Sequence, residues 1–463
     1  MPVFEKSTEL PVSAQVAFDW HCRPGAFERL APPWESIELL STDGVVDGGI
    51  ARLRMTVGPL SKLWIAEHCN IVPGRSFCDV QRSGPFARWE HTHSLEPVSD
   101  DRCVLTDRIE YQAPLGFLGE LFGGRLIRRS IERTFAYRHH VTELDLRFHT
   151  ATQENPAMKI AVGGSTGLVG TELVSFLTAG GHDVVRLVRG GPSTDRNHAG
   201  GSSGNIAWDP AAATIDSDAL EGCDAVVHLG GHNIAHGRWT DRMKRLIRDS
   251  RVNSTALLAR TLAGLKNPPK VFVCASAIGY YGDRGSDLMT EDSEPGPSFL
   301  SQTCAEWEEA TRPARDAGIR VVNLRIGVVL SPKGGALKKM LTPFKLGGGG
   351  VVGNGRQWMS WIALDDLPRI VQHCIDTESL SGPVNAVAPE PVDNRRFTKT
   401  LGRVLRRPTI LPLPAFVVRT IFGEMGDELL LGSTNVEPTR LAASGYEFAF
   451  PDLEPALRHL LGR

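Results

Sequence analysis

The stretch AVGGSTGLVG, residues 161–170, constrains this chain more than any other. It joins an apolar run, Lys159–Gly163, to a segment with helical periodicity, Leu168–Ala179, and a second apolar run, Asp183–Val188, follows. A strand, glycine turn, helix and strand in that order predict a parallel sheet with crossover helices. Gly164, Gly167 and Gly170 are spaced three apart. Such glycines allow a tight turn, a close backbone approach to a pyrophosphate, and close packing of helix on sheet. The backbone N–H groups of Ser165, Thr166, Gly167, Leu168 and Val169, with the helix dipole, then suit the phosphates of a dinucleotide.

The alternation continues. Asp224–Leu229, Lys270–Ala275 and Arg320–Leu324 read as strands, and Asp241–Leu265 and Ser301–Ala317 as helices. Together they predict an α/β, Rossmann-type, doubly wound parallel sheet over residues 158–382. Past Gly382 a Pro-rich stretch with short helices suggests a small C-terminal subdomain, residues 383–463. A chain of 463 residues is too long for one core, and residues 1–150 carry a different pattern. Ile50–Val57 alternates apolar and polar residues, and Trp89, His91, His93 and Leu95 share one strand face. Ala14–Leu30 reads as helix broken at Pro24-Gly25, and Phe122–Leu144 as a longer helix. The polar segment Thr150–Ala157 is the expected linker, and the glycine-rich stretches 190–204 and 347–355 are expected to be mobile loops.

Charge narrows the partners. With 51 basic and 53 acidic residues, formal net charge −2, no global field draws the chain to nucleic acid or an anionic membrane. Apolar runs are strand-length rather than membrane-length, and the amino terminus lacks the pattern of a signal peptide. Eight cysteines without CxxC spacing fit reduced thiols in a cytoplasmic protein. His91-x-His93 is a possible half of a metal site, but no Cys or carboxylate cluster completes it in sequence, so no metal is expected.

The end of the second strand separates the cofactors. An NAD site places an acid there for the ribose hydroxyls. This strand instead ends in Arg189, which suits the 2′-phosphate of NADP(H).

Residues 1–148 resemble the helix-grip fold of START-like and polyketide-cyclase-like (SRPBCC) proteins, through element order and the phrase GPFARWEHTHSLEP. That implies an α+β domain with an apolar ligand cavity. From residue 158 on, VGGSTGLVG, AWDP, DAVVHLGGHNIAHGRW, SRVNST, CASAIGYYGDRG and RQWMSWIALDDL resemble the extended short-chain dehydrogenase/reductases. More narrowly they resemble the epimerase-family proteins, whose tail is matched by NAVAPEPVDNRRF and LLLGSTNVEPTRLAASGYEF. The resemblance implies cofactor-side roles for Gly230, Asn253 and Gly327, against strand-end punctuation at Gly230 and a polar helix face at Asn253. It also implies a substrate pocket shaped by Arg356, Trp358 and Trp361, against tryptophans that only pack the subdomain. It implies a carbonyl-polarising Ser276, with Ala277 the alternative. It departs at the acid/base pair: Phe299 and Thr303 stand where Tyr and Lys belong, and no Tyr-x-x-x-Lys occurs in the chain. Tyr280 and Tyr281 are the candidate substitute phenols, against a plain structural role. Asp365 and Asp366 are expected to cap the next helix.

These readings favour an NADP(H)-dependent oxidoreductase acting on a small-molecule substrate, with a hydrophobic ligand in the amino-terminal domain. Two alternatives stand beside it: a non-enzymatic dinucleotide-binding sensor, and a nucleoside-diphosphate-sugar epimerase or dehydratase.

Overall fold

A computed structural model describes residues 2–57, 60–114, 117–151, 156–190, 204–235 and 237–463. Most of the glycine-rich stretch 190–204 and half of the linker 150–157 lie outside the described residues.

The amino-terminal part is a seven-stranded antiparallel sheet. Strand Val3–Leu10 pairs with Arg102–Gln112, and the sheet then runs back in order through 88–99, 76–83, 60–72 and 50–57 to Ser36–Thr42. The helical region between the first two strands breaks where Pro24-Gly25 interrupts it, into Ala14–Cys22 and Ala26–Leu30. The closing helix is longer than its apolar periodicity suggests, running 35 residues from Phe117 to Ala151. Strand 88–99 buries Trp89, His91, His93 and Leu95 on one face. Sheet and helix enclose a cavity of about 820 Å³, lined by Leu53, Met55, Trp64, Phe86, Trp89 and Ile131 among others. This is the helix-grip arrangement that the resemblance implied.

The second part is an eight-stranded sheet, parallel except at one edge. Its order is 214–215, 204–209, 183–188, 159–163, 225–228, 271–277, 320–326 and 382–386. The chain winds outward from Lys159–Gly163 in one direction, then crosses and winds the other way from Ala225–His228. The crevice at that reversal is where open α/β sheets bind ligands. Gly382–Ala386 pairs with 322–326 as the last strand, so the alternation outlasts the break expected at Gly382. The tail is not a separate body either: Leu441, Phe450, Leu453, Leu457 and Leu460 join the same core as the sheet strands. The helix expected at Ser301–Ala317 is two helices, Phe299–Glu309 and Arg312–Asp316, with Pro313 restarting the second.

Stretch 347–355, expected to be a mobile loop, is docked. Leu413 N–H bonds to Val351 O at 2.8 Å, and Gly353 N–H to Leu413 O at 2.9 Å.

Helix Leu168–Ala179 is buried along most of its length, the polar Glu172, Ser175 and Thr178 included. One side packs on the sheet; against the other lies helix Ala26–Leu30 of the first domain. The approach is close enough that a Cβ at Gly25 would overlap the Ser175 carbonyl. Arg29, 1% exposed, crosses this boundary. It meets Asp145 at 2.8 Å and Glu172 and Asp365 at 3.4 Å, and Arg369 reaches Asp145 at 2.6 Å. Asp365 also pairs with His459 at 3.1 Å, and Asp366 accepts from the backbone N–H groups of Ala449 and Phe450. These two aspartates therefore tie domains and tail together, and neither side chain caps the helix that follows.

Candidate dinucleotide site

The glycine loop lies at the sheet's reversal point. Gly164 has φ +77°, and a Cβ there would lie 2.7 Å from the Gly230 nitrogen. The loop and the end of strand 225–228 thus touch backbone to backbone, which places Gly230 beside the glycine loop. A Cβ at Gly170 would overlap the Gly164 carbonyl. Gly167 is different: its backbone is extended, and an added Cβ meets only Gly164 O, at 3.2 Å. It is the N-cap of helix Leu168–Ala179, with no side chain capping the first turn. Those N–H groups have no intrahelical partners and suit an anion. Ser165 is 3% exposed, and its hydroxyl has no hydrogen-bond partner among the described residues. A buried, unpaired hydroxyl is costly unless a ligand completes it. Leu168 and Val169 form the first turn, and Thr166 is exposed. The loop fits a dinucleotide pyrophosphate.

Arg189 is exposed just past strand Asp183–Val188. Its neighbour Arg186 is buried and faces Glu28 of the first domain; burial holds its pKa below the ordinary value, and Glu28 offsets this.

Asn253 is exposed. Its helix, Asp241–Ala263, instead turns Ser250, Arg251 and Ser254 toward the strand end. Ser250 Oγ accepts from His232 N–H at 2.9 Å, Arg251 lies under Gly231, and Ser254 Oγ meets His228 Nε2 at 2.9 Å. The SRVNST phrase pointed to this helix, but the face could not be chosen without knowing its rotation. Gly327 packs under Ser360 O and Val387, leaving no room for a side chain.

The residues singled out for proton transfer separate. Ser276 is buried at the end of strand Val271–Ala277, and its hydroxyl donates to Glu308 at 2.7 Å. Glu308 is held bidentately by Arg325, at 2.8 and 2.9 Å. Arg325 also donates to the Tyr281 hydroxyl at 2.9 Å, which in turn donates to Asn385 at 2.7 Å. Tyr281 is fully buried, and burial pushes its phenol up to about 12. Ser276 and Tyr281 are thus members of one internal network. Tyr280 is half-buried with the Arg325 guanidinium 3.5 Å from its ring centre. Its pKa is raised by burial, with Arg325 pulling the other way. Phe299 packs against Trp239 at 5.4 Å, under the Lys244 ammonium, and Thr303 is buried.

Arg356 is exposed and Trp358 partly so, in a short strand paired with Val392–Asp393. Trp361 is not a pocket residue: it is fully buried, and its indole N–H donates to Glu390 O at 3.0 Å.

Fold and loop together define a Rossmann-type dinucleotide-binding protein with a helix-grip domain in front. Residues 160–386 match the NAD dependent epimerase/dehydratase family, 10–135 the polyketide cyclase / dehydrase and lipid transport family, and 413–460 a domain of unknown function (DUF1731). An epimerase family protein of Mycobacterium bovis is 42% identical over 304 residues, covering 66% of this chain and 98% of that protein. Among solved structures, the nucleoside-diphosphate sugar epimerase from Corynebacterium glutamicum is 33% identical with TM-score 0.80, covering 99% of this chain and 90% of that one. The human epimerase family protein SDR39U1 with NADPH is 37% identical with TM-score 0.59, covering 66% of this chain and 99% of that one. The chain belongs to the epimerase family, with a polyketide-cyclase-like domain at its amino end.

Proposed function

We propose that the chain is an NADP(H)-dependent oxidoreductase for a small carbonyl substrate. The observation that carries this is the glycine loop: an uncapped helix N-terminus beside the buried Ser165 hydroxyl, unpaired among the described residues, with a basic Arg189 rather than an acid at the end of the second strand. The solved human relative with NADPH supports the same cofactor; structures of lower identity contain NAD.

The dinucleotide, when bound, supplies or accepts hydride. The chain's own residues supply position and proton. Backbone N–H groups of 165–169 and the Ser165 hydroxyl take the pyrophosphate, and Arg189 takes the 2′-phosphate by charge. Tyr280 is the phenol left for proton transfer, because Tyr281 is committed to Asn385 and Arg325. A phenol kept protonated at neutral pH donates rather than accepts, which favours carbonyl reduction over alcohol oxidation. Without the Tyr-x-x-x-Lys pair, sugar-nucleotide epimerisation lacks its usual base.

The sensor reading keeps one observation in its favour: Ser276 is spent on Glu308. Calorimetric titration with NADPH and with NADH, on the native protein and an Arg189→Ala variant, tests the cofactor. NADPH is expected to bind more tightly, and the variant to erase the difference. Equal affinities in the native protein would sink the NADP assignment. A carbonyl panel with NADPH then separates enzyme from sensor, and conversion of UDP-sugars would favour the epimerase instead.

A further inference from the structure

The floor of the amino-terminal cavity is not apolar. Four strands bring a row of titratable side chains into register there: His68 opposite Asp79, Asp79 opposite His91, and His93 opposite Asp107. His91 Nδ1 lies 2.9 Å from Asp79 Oδ2, and His93 Nε2 lies 3.8 Å from the same oxygen. One ligand atom from each of Asp79, His91 and His93 lies within 4.8 Å of the other two, and all three residues line the cavity. Behind them, outside the cavity lining, stands Asp107. Its Oδ1 is 3.2 Å from His91 Nε2 and 2.6 Å from His93 Nδ1, and its Oδ2 is 2.9 Å from His139 Nε2. His139 is anchored in turn by Thr8, at 2.8 Å. The rings are set by packing: His93 stacks on Phe77 with centroids 4.1 Å apart, and His91 meets Phe135 edge-on at 5.0 Å.

We propose that Asp79, His91 and His93 form a binding site for a divalent transition ion of the Zn²⁺ type, open to the helix-grip cavity. Two imidazole nitrogens and one carboxylate oxygen are a donor set for such ions, not for Mg²⁺ or Ca²⁺. Bonds of ~2.0–2.1 Å in a tetrahedral site put neighbouring ligand atoms about 3.4 Å apart, and the observed 2.9 and 3.8 Å bracket that spacing. Metal-bound histidines commonly have their far nitrogens backed by a carboxylate, which is where Asp107 stands. The fourth position faces an apolar-walled space of about 820 Å³. It would take a ligand with one oxygen donor, a carbonyl, phenolate or carboxylate, on a hydrophobic body. The site lies in the other domain from the glycine loop and does not depend on the cofactor assignment.

The test uses the full chain, stripped with chelator and titrated with Zn²⁺, Co²⁺ and Mg²⁺. One Zn²⁺ per chain is expected, with Co²⁺ giving a visible ligand-field band and Mg²⁺ leaving it unchanged. Asp79→Asn and His93→Gln should abolish the band, while Asp107→Asn, which keeps all three ligands, should weaken binding about 10–100-fold. Circular dichroism on each variant separates a lost site from a lost fold. Zn²⁺ failing to bind, Mg²⁺ displacing Co²⁺, or a band that survives in folded Asp79→Asn and His93→Gln would each overturn the proposal.

Discussion

At Gly170 a Cβ would overlap the Gly164 carbonyl, whereas at Gly167 it meets a single atom at 3.2 Å. The two glycines therefore answer to different constraints, one to the packing of loop on helix, the other to whatever lies outside the loop. Gly167→Val is expected to fold with a melting temperature close to native and to lose NADPH binding, because its side chain fills the space of the pyrophosphate. Gly170→Val is expected to fail as a fold. A folded Gly167→Val protein that binds NADPH with native affinity would place the cofactor elsewhere. Residue-scale chemistry also divides the two adjacent tyrosines. One turn of backbone buries Tyr281 against Asn385 and leaves Tyr280 half out, a distinction that the letters YY do not contain.

At the scale of elements, the helix Leu168–Ala179 serves both domains. Its first turn faces the dinucleotide crevice, and Glu172 in its second turn meets Arg29 and Lys333, at 3.4 and 2.6 Å. Arg29 is the charge shared by Asp145, Glu172 and Asp365, which Arg369, Lys333 and His459 also approach from one side each; the first two acids come from the long helix and this one. Removing one partner of a buried network leaves the others uncompensated and typically costs about 3–5 kcal/mol. Arg29→Ala should therefore lower the denaturation free energy by that order, with chemical unfolding as the readout. A loss below about 1 kcal/mol, the range of surface pairs, would show that the network does not hold the domains together. The strands of the first domain were visible from alternation, but their register was not. A two-residue slip would have kept His91 and His93 inward and moved Asp79 and Asp107 away from them.

At the scale of the whole molecule, acid should act through buried imidazoles. Burial holds His149 at about 3, and His182 and His228 at about 4. Each is neutral in the folded chain and titrates near 6.5 when unfolded, so the unfolded state binds more protons between those values. Stability is lost as pH falls from about 6.5 toward 4, by about 2 kcal/mol at pH 5 for each of His149 and His228. Asp366 works against this. Burial pushes it up to about 6, so its contribution is full below the ordinary carboxylate value and disappears as pH rises through 6. The histidines outnumber it, and the denaturation free energy should fall steadily from pH 6.5 to pH 5. A flat profile over that range would contradict the burial of these rings.

The sequence by itself determined what depends on near neighbours along the chain. The glycine spacing, the strand–helix alternation and the bounds of Lys159–Gly163, Leu168–Ala179 and Asp183–Val188 all appear as read, because turn geometry and hydrophobic period are local. Tertiary structure alone decided what depends on residues far apart. Asp79 and Asp107 lie 12 and 16 residues from His91, and only strand pairing brings them to it. Arg29 finds Glu172 and Asp365 only because a helix of one domain packs on the phosphate-side helix of the other. A charge is buried at tolerable cost only when its partners arrive from several directions at once, and no short stretch of sequence records that convergence.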